Sequence, residues 1–578
     1  MRPSLKRLAE MLLLLAFAAC SGSHEVDFER SLAVPAPADL VLRNGKIITV
    51  DRDFSIKQAV AIRDGRFVAV GSDHDVRVLT ARRTRVIDLG GRTVIPGLID
   101  SHIHATEAGL SWDAELHWER TRSLATGLKQ IAEAAKAKPP GSWIVVGGGW
   151  VPTQFAERRF PSRAELDELA PNHPVYVQYL DQGALLNSAA LNVVGITSKT
   201  SAAAGGKFER NPNTGELTGW LQGAAAWEYA YNKIPGLSLD KVHQSIRNCF
   251  RELNRVGLTS VGDLQTGNVS FAHRRLLAEM ARSGDLTLRV NIYLAADDGD
   301  ELEQLKMTAD EIKKFQQSDM FRFVGFGDGF VRAVGNPELT PNPMGVTITA
   351  EAKEKIRGML RLFSGERYGF HLRAAEDNTA RQLLDVLEEV NAATPLSPQR
   401  IAFVQLEDAT SATITRIKKL GGGIAVQDRM ALTGERTVEL WGLDKARNAP
   451  PLRTMIESGI AIGTGTDAFR SASYSPMLSL WWLITGKTVA GSKIRNQSQN
   501  LTREEALRLY TIGSAWFTFD EGRKGSIEVG KLADLAVLNG DYLTVPEDQI
   551  RLLESVLTLV GGRIVYAVAP FTESQRSK

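Results

Sequence analysis

Apolar strand-like segments alternate with amphipathic helical segments from about Gly97 to Tyr510 of this 578-residue chain. YGFHLRA is typical of a buried strand, and NTARQLLDVLEEVNAA is typical of an amphipathic helix. Strands that alternate with helices form parallel sheets, and a long series of such units is most economically closed into a (β/α)8 barrel. The sequence therefore predicts an α/β fold with a TIM-like barrel over residues 96–517 and an inserted subdomain at about 113–231.

Short β-rich segments flank the predicted barrel on both sides. Asn-Gly, Asp-Gly and Gly-Gly pairs separate apolar runs between residues 38 and 95, and VLTLVGGRIVYAV repeats the arrangement near the C-terminus. Such pairs are typical of tight hairpin turns. We predict one composite β-sandwich, assembled from residues 38–95 and 518–570.

The first 37 residues have a different character. Basic residues at positions 2, 6 and 7 precede an apolar run from Met11 to Ala19, which is too short to span a bilayer and is typical of a secretory signal. We predict a signal peptide at 1–19 and a tether at 20–37. An Ala-x-Ala cleavage site at 16–18 competes with a lipoprotein-type site that leads to lipidation of Cys20. We favour lipidation, which predicts an exported bacterial periplasmic lipoprotein; the alternative is a soluble periplasmic or secreted protein.

Composition and charge limit the classes of ligand and partner that the sequence predicts. With 43% hydrophobic and 24% charged residues, the chain is typical of a soluble globular protein. A formal net charge of +2 gives no electrostatic reason to expect nucleic acid. The two cysteines, Cys20 and Cys249, cannot build a cysteine-based zinc site. We expect a small-molecule substrate and membrane contact only through the N-terminal lipid anchor; the oligomeric state is not predicted.

Two histidines end the apolar run VIPGLIDSHIHA at residues 94–105. Side chains alternate along a strand, so His102 and His104 point to the same side. On a first barrel strand, this position is the C-terminal mouth, where barrel enzymes hold their active sites. Two imidazoles at this spacing can ligate one divalent metal, although the pair by itself is equally compatible with a structural or surface role.

Three segments resemble the amidohydrolase superfamily, and specifically its amidohydrolase-3 branch of N-substituted formamide deformylase-like proteins. VIPGLIDSHIHA resembles the motif of the first strand, PVYVQYLDQGALLNSAALNVVGI resembles the insertion, and NLTREEALRLYTIGSAWFTFDEGRKGSIEVGKLADLAVLNGDYLTVP resembles the C-terminal signature. The resemblance covers nearly all of the mature chain. It implies a TIM barrel, a composite β-sandwich and a metal-activated water that hydrolyses the C–N bond of an amide or imide.

The resemblance also implies a set of metal ligands. His102 and His104 match the first strand, His371 in FHLRAAED matches a fifth-strand ligand, and Asp467 in GIAIGTGTDAF matches the eighth-strand ligand and general base. The alternatives are a hydrogen-bonded core histidine at 371 and a helix-capping aspartate at 467. Three nitrogens and a carboxylate suit one divalent metal, and we expect zinc.

Two positions depart from the family pattern. Val324 stands where the family often has a fourth-strand lysine, Phe403 stands at the sixth-strand histidine position, and no histidine follows His371. These departures predict a mononuclear site. They also leave a second hypothesis open, a catalytically decayed binding protein at the cell envelope.

Four further residues are candidate substrate contacts. Arg373 can hold a carboxylate bidentately or pair with a structural aspartate. Asp328 remains from the fourth-strand motif, and Gln427 lies near the end of the next predicted strand after Phe403. Trp150 belongs to a tryptophan-rich insertion whose rings are expected in its core or along the pocket wall. Together these features predict a metal-dependent hydrolase of C–N bonds other than peptide bonds, acting on a small, partly apolar substrate.

Overall fold

The computed structural model describes residues 36–265, 268–295, 301–327, 347–363, 365–396 and 399–572. Cys20, Asp328, the predicted signal peptide and most of the predicted tether lie outside these residues. Within the described ranges, no helix combines the length and the apolar character that a membrane span requires.

Eight parallel strands follow one another around a barrel. They span Leu98–Ile103, Leu258–Gln265, Arg289–Leu294, Phe321–Phe326, Gly369–Ala374, Arg400–Gln405, Gly423–Gln427 and Ala461–Gly465, and are called the first to eighth barrel strands. The first and eighth strands meet at their C-terminal ends, where the Asp467 N–H donates to the His102 carbonyl oxygen at 2.8 Å. The predicted α/β barrel fold is confirmed.

Helices connect the barrel strands and surround the barrel. The helix Leu239–Arg255 illustrates their amphipathic pattern, because its buried apolar residues 242, 246, 249, 250 and 253 form one stripe. The α-helices of the described residues span Asp73–Arg77, Ala105–Ser111, Leu124–Ala137, Arg163–Leu169, Ser188–Val194, Ala224–Tyr231, Leu239–Arg255, Phe271–Ser283, Glu301–Lys313, Ala350–Leu362, Asp377–Ala393, Ser411–Lys419, Met430–Trp441, Leu443–Ala446, Leu452–Ser458, Pro476–Thr485, Arg503–Arg508, Ser514–Phe517 and Glu547–Ile550.

Alternation along each barrel strand determines which side chains face the barrel interior. On the sixth strand, Ala402 pairs with His371 of the fifth strand, and Val404 pairs with Arg373. Ala402 and Val404 pack in a small core separate from the helical layer, whereas Phe403 belongs to the large core that the helices share. Paired residues of a parallel sheet point to the same face. Phe403 therefore faces the helical layer, and the inward positions of the sixth strand are Ala402 and Val404.

Both ends of the chain contribute to one sandwich. Its four-stranded sheet is ordered Arg66–Gly71, Ala59–Arg63, Leu40–Arg43 and Arg85–Asp88. Its six-stranded sheet is ordered Arg563–Ala567, Ser555–Val560, Leu535–Leu538, Thr93–Pro96, Lys46–Ile48 and Ile56–Lys57. Strand Thr93–Pro96 pairs antiparallel with Leu535–Leu538 and leads directly into the first barrel strand. The sandwich thus fixes the entry of the strand that carries the histidine pair.

A further six-stranded sheet lies between the first and second barrel strands in the sequence. Its strands are ordered Lys207–Arg210, Leu217–Gln222, Gly183–Leu186, Val175–Tyr179, Ile144–Val146 and Glu115–Leu116. One apolar core contains Tyr176 and Trp227, and another contains Trp118 and Trp150. This inserted sheet supplies much of the wall of the cavity described next.

Candidate metal centre

His102, His104 and Asp467 converge at the C-terminal mouth of the barrel. The Nε2 atoms of both histidines lie 3.3 Å from Oδ1 of Asp467. One ligand atom from each of the three residues lies within 4.8 Å of the others. His102 and Asp467 are almost completely buried, whereas His104 is partly exposed. Two imidazoles and one carboxylate at this spacing fit the ligand set of a single divalent metal.

Backbone contacts orient two of these side chains. The Nδ1 of His104 donates to the Leu264 carbonyl oxygen at 2.8 Å, which leaves Nε2 as the nitrogen facing Asp467. Asp467 adopts a left-handed backbone conformation with φ 59°, which is uncommon for a residue other than glycine. Burial acts to raise the pKa of Asp467, but His102, His104 and the charge of Arg373 outweigh it and hold this pKa well below its usual range. The Asp467 carboxylate is therefore ionised.

Asp100 connects the two strands that carry the cluster. Its Oδ1 accepts a hydrogen bond from the His102 N–H at 3.0 Å, and its Oδ2 accepts one from the Thr466 hydroxyl at 2.7 Å. Burial raises the pKa of Asp100 to about 6, although the hydrogen bonds from Thr466 and His102 oppose this shift. Asp100 thus links the backbone of His102 to Thr466, the residue that precedes Asp467. This role was not predicted from the sequence.

His371 lies beside the cluster instead of within it. Its ring centroid is 5.8 Å from that of His102 and 4.1 Å from that of Tyr293, and the side chain is fully buried. It is not one of the residues whose ligand atoms converge within 4.8 Å. The structure therefore brings together three of the four predicted ligands and places the fourth next to them in the barrel interior.

Three inward residues of the fourth and sixth strands are apolar. Val324 packs with Leu264 and Tyr293, and the inward residues of the sixth strand are Ala402 and Val404. Across the described ranges, His102, His104 and Asp467 form the single group of His, Cys, Asp or Glu side chains spaced for a metal ion. The side chains of Val324, Ala402 and Val404 have no electron pair to donate to a second ion.

Two glutamines occupy the strand ends nearest to Asp467. The Nε2 of Gln405 lies 3.4 Å from Oδ2 of Asp467. Gln427 pairs with Gly465 of the eighth strand and is only 1% exposed. Its Nε2 and Oε1 have no hydrogen-bond partner among the residues that the structure describes. A buried amide without partners is costly, and such groups are commonly completed by a water or a ligand.

A cavity of about 290 Å³ opens above His104. Its wall is formed by the inserted sheet and its loops, by the helix Ala105–Ser111 and by the segment Phe469–Ser471 that follows the eighth strand. Arg373 is one of the lining residues, so its side chain does reach the mouth of the barrel. Gln427 does not line this cavity and lies deeper in the barrel.

Trp150 is not part of this cavity wall. Its ring is fully buried and packs against Trp118 and Phe155, with centroid distances of 5.1 and 5.4 Å. Its indole N–H donates to the Gly147 carbonyl oxygen at 3.1 Å. The expected contact of Trp150 with substrate is therefore replaced by core packing, and Trp112 and Trp227 supply the indole rings of the wall.

Charged residues of the wall were missed by the sequence analysis. Nη1 of Arg470 lies 3.6 Å from Oε1 of Glu107, and the Arg470 guanidinium lies 4.2 Å from the centroid of the Tyr231 ring. Asp181 accepts a hydrogen bond from the Ser471 hydroxyl at 2.8 Å, and burial raises the pKa of Asp181 to about 6. Arg470 and Ser471 follow Asp467 closely in the sequence. This short spacing could have indicated that they lie at the barrel mouth.

The chain is similar to known proteins over most of its length. The family model described as "Amidohydrolase family" matches residues 85–566, and the chain belongs to this family. An N-substituted formamide deformylase of Arthrobacter pascens is 27% identical over 544 residues, which cover 91% of this chain and 98% of that protein. The resemblance predicted from the motifs is confirmed.

Solved structures share the fold. The crystal structure of an uncharacterized metal-dependent hydrolase from Pyrococcus furiosus superposes with a TM-score of 0.60 at 22% identity. The superposition covers 87% of this chain and 100% of that chain. The atrazine chlorohydrolase of Arthrobacter aurescens, solved in complex with zinc, superposes with a TM-score of 0.51 at 15% identity, covering 93% and 98%.

Proposed function

We propose that this protein is a metal-dependent hydrolase that cleaves a C–N bond, other than a peptide bond, in a small and partly apolar amide. The convergence of His102, His104 and Asp467 at a cavity that His104 lines carries this proposal. The similarity to an N-substituted formamide deformylase over nearly the whole chain supports a C–N bond as the target. We further propose one metal ion per chain, because the described residues contain no second group of His, Cys, Asp or Glu side chains spaced for a metal ion.

The residues present fit a zinc ion. Two neutral imidazoles and a carboxylate are common ligands of catalytic zinc, and an open position beside them is the usual arrangement. His371 is the nearest candidate for a fourth ligand, given its ring contact with His102. Zinc in the structurally similar atrazine chlorohydrolase supports the same choice here. When bound, such an ion supplies Lewis acidity that polarises a carbonyl group and makes water more acidic.

The protein side chains have distinct proposed roles. Oδ1 of Asp467 faces the two imidazoles, and Oδ2 accepts a hydrogen bond from Gln405 at 3.4 Å; we assign the role of general base to this carboxylate. Gln427 offers a buried amide that can donate to the substrate or to an ordered water, and Arg373 positions the substrate from the cavity wall.

Hydrolysis of a panel of N-formyl, N-acyl and cyclic amides by the zinc-loaded protein tests the proposal. We expect Asp467→Asn to lower the rate by about 10²–10⁴-fold, because it removes both a ligand and a base. Asp444→Asn makes the same chemical change at a fully exposed side chain and should leave the rate unchanged. Full activity in Asp467→Asn would contradict the proposal. Tight binding of zinc and amides without any turnover would favour the catalytically decayed binding protein.

We also propose that the chain is exported and anchored as a periplasmic lipoprotein through Cys20. The basic and apolar N-terminal segment that ends at this cysteine supports the proposal. Cys20→Ser should release the protein from the membrane fraction into the soluble periplasmic fraction. Unchanged membrane retention of this variant would contradict lipid anchoring at Cys20.

A further inference from the structure

The cavity above the metal centre is rich in carboxylates. Five carboxylate side chains line it against two guanidinium groups: Glu107, Glu115, Glu119, Asp181 and Glu228 against Arg373 and Arg470. The guanidinium groups are already close to negative charge. Arg470 pairs with Glu107, and the charge of Arg373 helps to lower the pKa of Asp467 and opposes the increase that burial causes in the pKa of Asp181. An anionic substrate would therefore meet a wall whose cations are compensated and whose remaining charge repels it.

Glu119 is one of these carboxylates and is only partly exposed. Its Oε2 is buried and accepts no hydrogen bond from the described residues. Burial raises the pKa of Glu119 to about 7; the charge of His117 opposes this shift, whereas the charges of Glu115 and Glu252 add to it. A buried carboxylate oxygen without a hydrogen-bond donor makes ionisation costly, and a cationic ligand group would reduce that cost.

The aromatic part of the same wall also suits a cation. The rings of Trp112 and His117 stack with a centroid distance of 3.7 Å, and the ring of Phe469 lies 5.6 Å from that of Trp112. All three residues line the cavity. Faces of aromatic rings attract ammonium and guanidinium groups, as the position of Arg470 over the Tyr231 ring already shows in this cavity.

We propose that the substrate carries a positively charged ammonium or guanidinium group, which binds at the Glu115 and Glu119 wall while the scissile amide lies at the metal centre. This inference rests on the hydrolase function proposed above. The two carboxylates would neutralise the cation, and the neighbouring rings would pack on the apolar part of the substrate. Arg373 then contributes to orientation within the cavity, not to capture of a substrate carboxylate.

Calorimetric titration of the full-length, zinc-loaded protein with benzylammonium and with benzyl alcohol tests this inference. The two probes have nearly the same shape and differ in charge, and at about pH 8 benzylammonium retains its proton while Glu119 is ionised. We expect benzylammonium to bind at least about tenfold more tightly, as is typical of a charged hydrogen bond in a buried site. Glu119→Gln should abolish this preference and leave the affinity for benzyl alcohol unchanged.

A matched variant provides the control. Glu168→Gln makes the same substitution at an exposed position of the insertion outside the cavity, and should preserve the preference. Equal affinities for the two probes in the wild-type protein, or a preference that survives in Glu119→Gln and in Glu115→Gln, would overturn the inference. Melting temperatures of the variants show whether each one folds. Failure of all amides to be hydrolysed would contradict the proposed reaction, whereas the binding preference is measured independently of turnover.

Discussion

The barrel interior is polar at the first and eighth strands, whereas Val324 of the fourth strand and Ala402 and Val404 of the sixth strand form an apolar side. On the polar side, Asp100 accepts hydrogen bonds from both strands, and His102 and Asp467 are held within 3.3 Å of each other. On the apolar side, the corresponding inward residues include Val324 and Val404. The difference indicates that the polar half holds the candidate metal ligands, whereas Val324, Ala402 and Val404 contribute packing and no ligands.

Electrostatics reinforce this asymmetry. Arg373 projects from the fifth strand into the cavity, and its charge acts on Asp467. A permanent guanidinium charge near the mouth opposes a second divalent cation, because repulsion between like charges is strong where water is largely excluded. We therefore expect one metal ion, bound at the polar half, and substitutions in the two halves should have different effects.

The largest expected effect is on stability at the apolar half. Phe403→His should lower the free energy of unfolding by about 3 kcal/mol, because Phe403 is fully buried in the helical layer and imidazole leaves a polar group and a cavity there. Denaturant titration of the metal-free protein measures this change. The zinc content should remain unchanged.

A neighbouring substitution sharpens the same test. Val404→His places an imidazole at an inward position of the same strand, so this variant alone is expected to alter metal affinity. If Phe403→His gained a second equivalent of zinc, the assignment of Phe403 to the helical layer would be wrong.

An intermediate effect is expected at the polar half. Asp100→Asn should weaken zinc binding by about 10–100-fold, because an amide cannot accept all the hydrogen bonds that position the first and eighth strands. Competition with a chelator gives the affinity. Thr466→Val removes only the hydroxyl donor and should have a smaller effect in the same direction. An unchanged affinity in Asp100→Asn would show that the link between the strands does not organise the site.

The smallest effect is expected at Gln427, between the two halves. Gln427→Leu should raise the free energy of unfolding by about 1 kcal/mol and lower kcat/KM by about tenfold, because the buried amide lacks partners in the protein and is free to contact substrate. Gln399→Leu is the matched comparison. Gln399 donates to the Phe363 carbonyl oxygen at 2.7 Å, so its loss should destabilise the fold. Destabilisation by both variants would contradict a ligand-directed role for Gln427.

Spacing and motif context were sufficient to predict the polar half. The alternate positions of His102 and His104 and the strand-end position of Asp467 predict one cluster, since the first and eighth strands of a closed barrel are neighbours. The same alternation places Asp100 on the same face as His102. The role of Asp100 could not be predicted without knowing that it contacts Thr466, which follows the eighth strand.

The apolar half and the cavity wall were harder to predict. Matching Phe403 to a family position does not show in which direction its side chain points. That direction depends on the pairing of Phe403 with Leu372 of the fifth strand. Composition likewise does not distinguish Trp150, buried in the core of the insertion, from Trp227 at the cavity wall. These outcomes depend on long-range packing that a local sequence pattern does not encode.

Metal content of the purified full-length protein after metal-replete expression is the most direct test of the central claim. Elemental analysis should find about one equivalent of zinc per chain, and Asp467→Asn should lose it. About two equivalents per chain, or full retention of zinc in Asp467→Asn, would contradict a single metal site organised by the first and eighth strands.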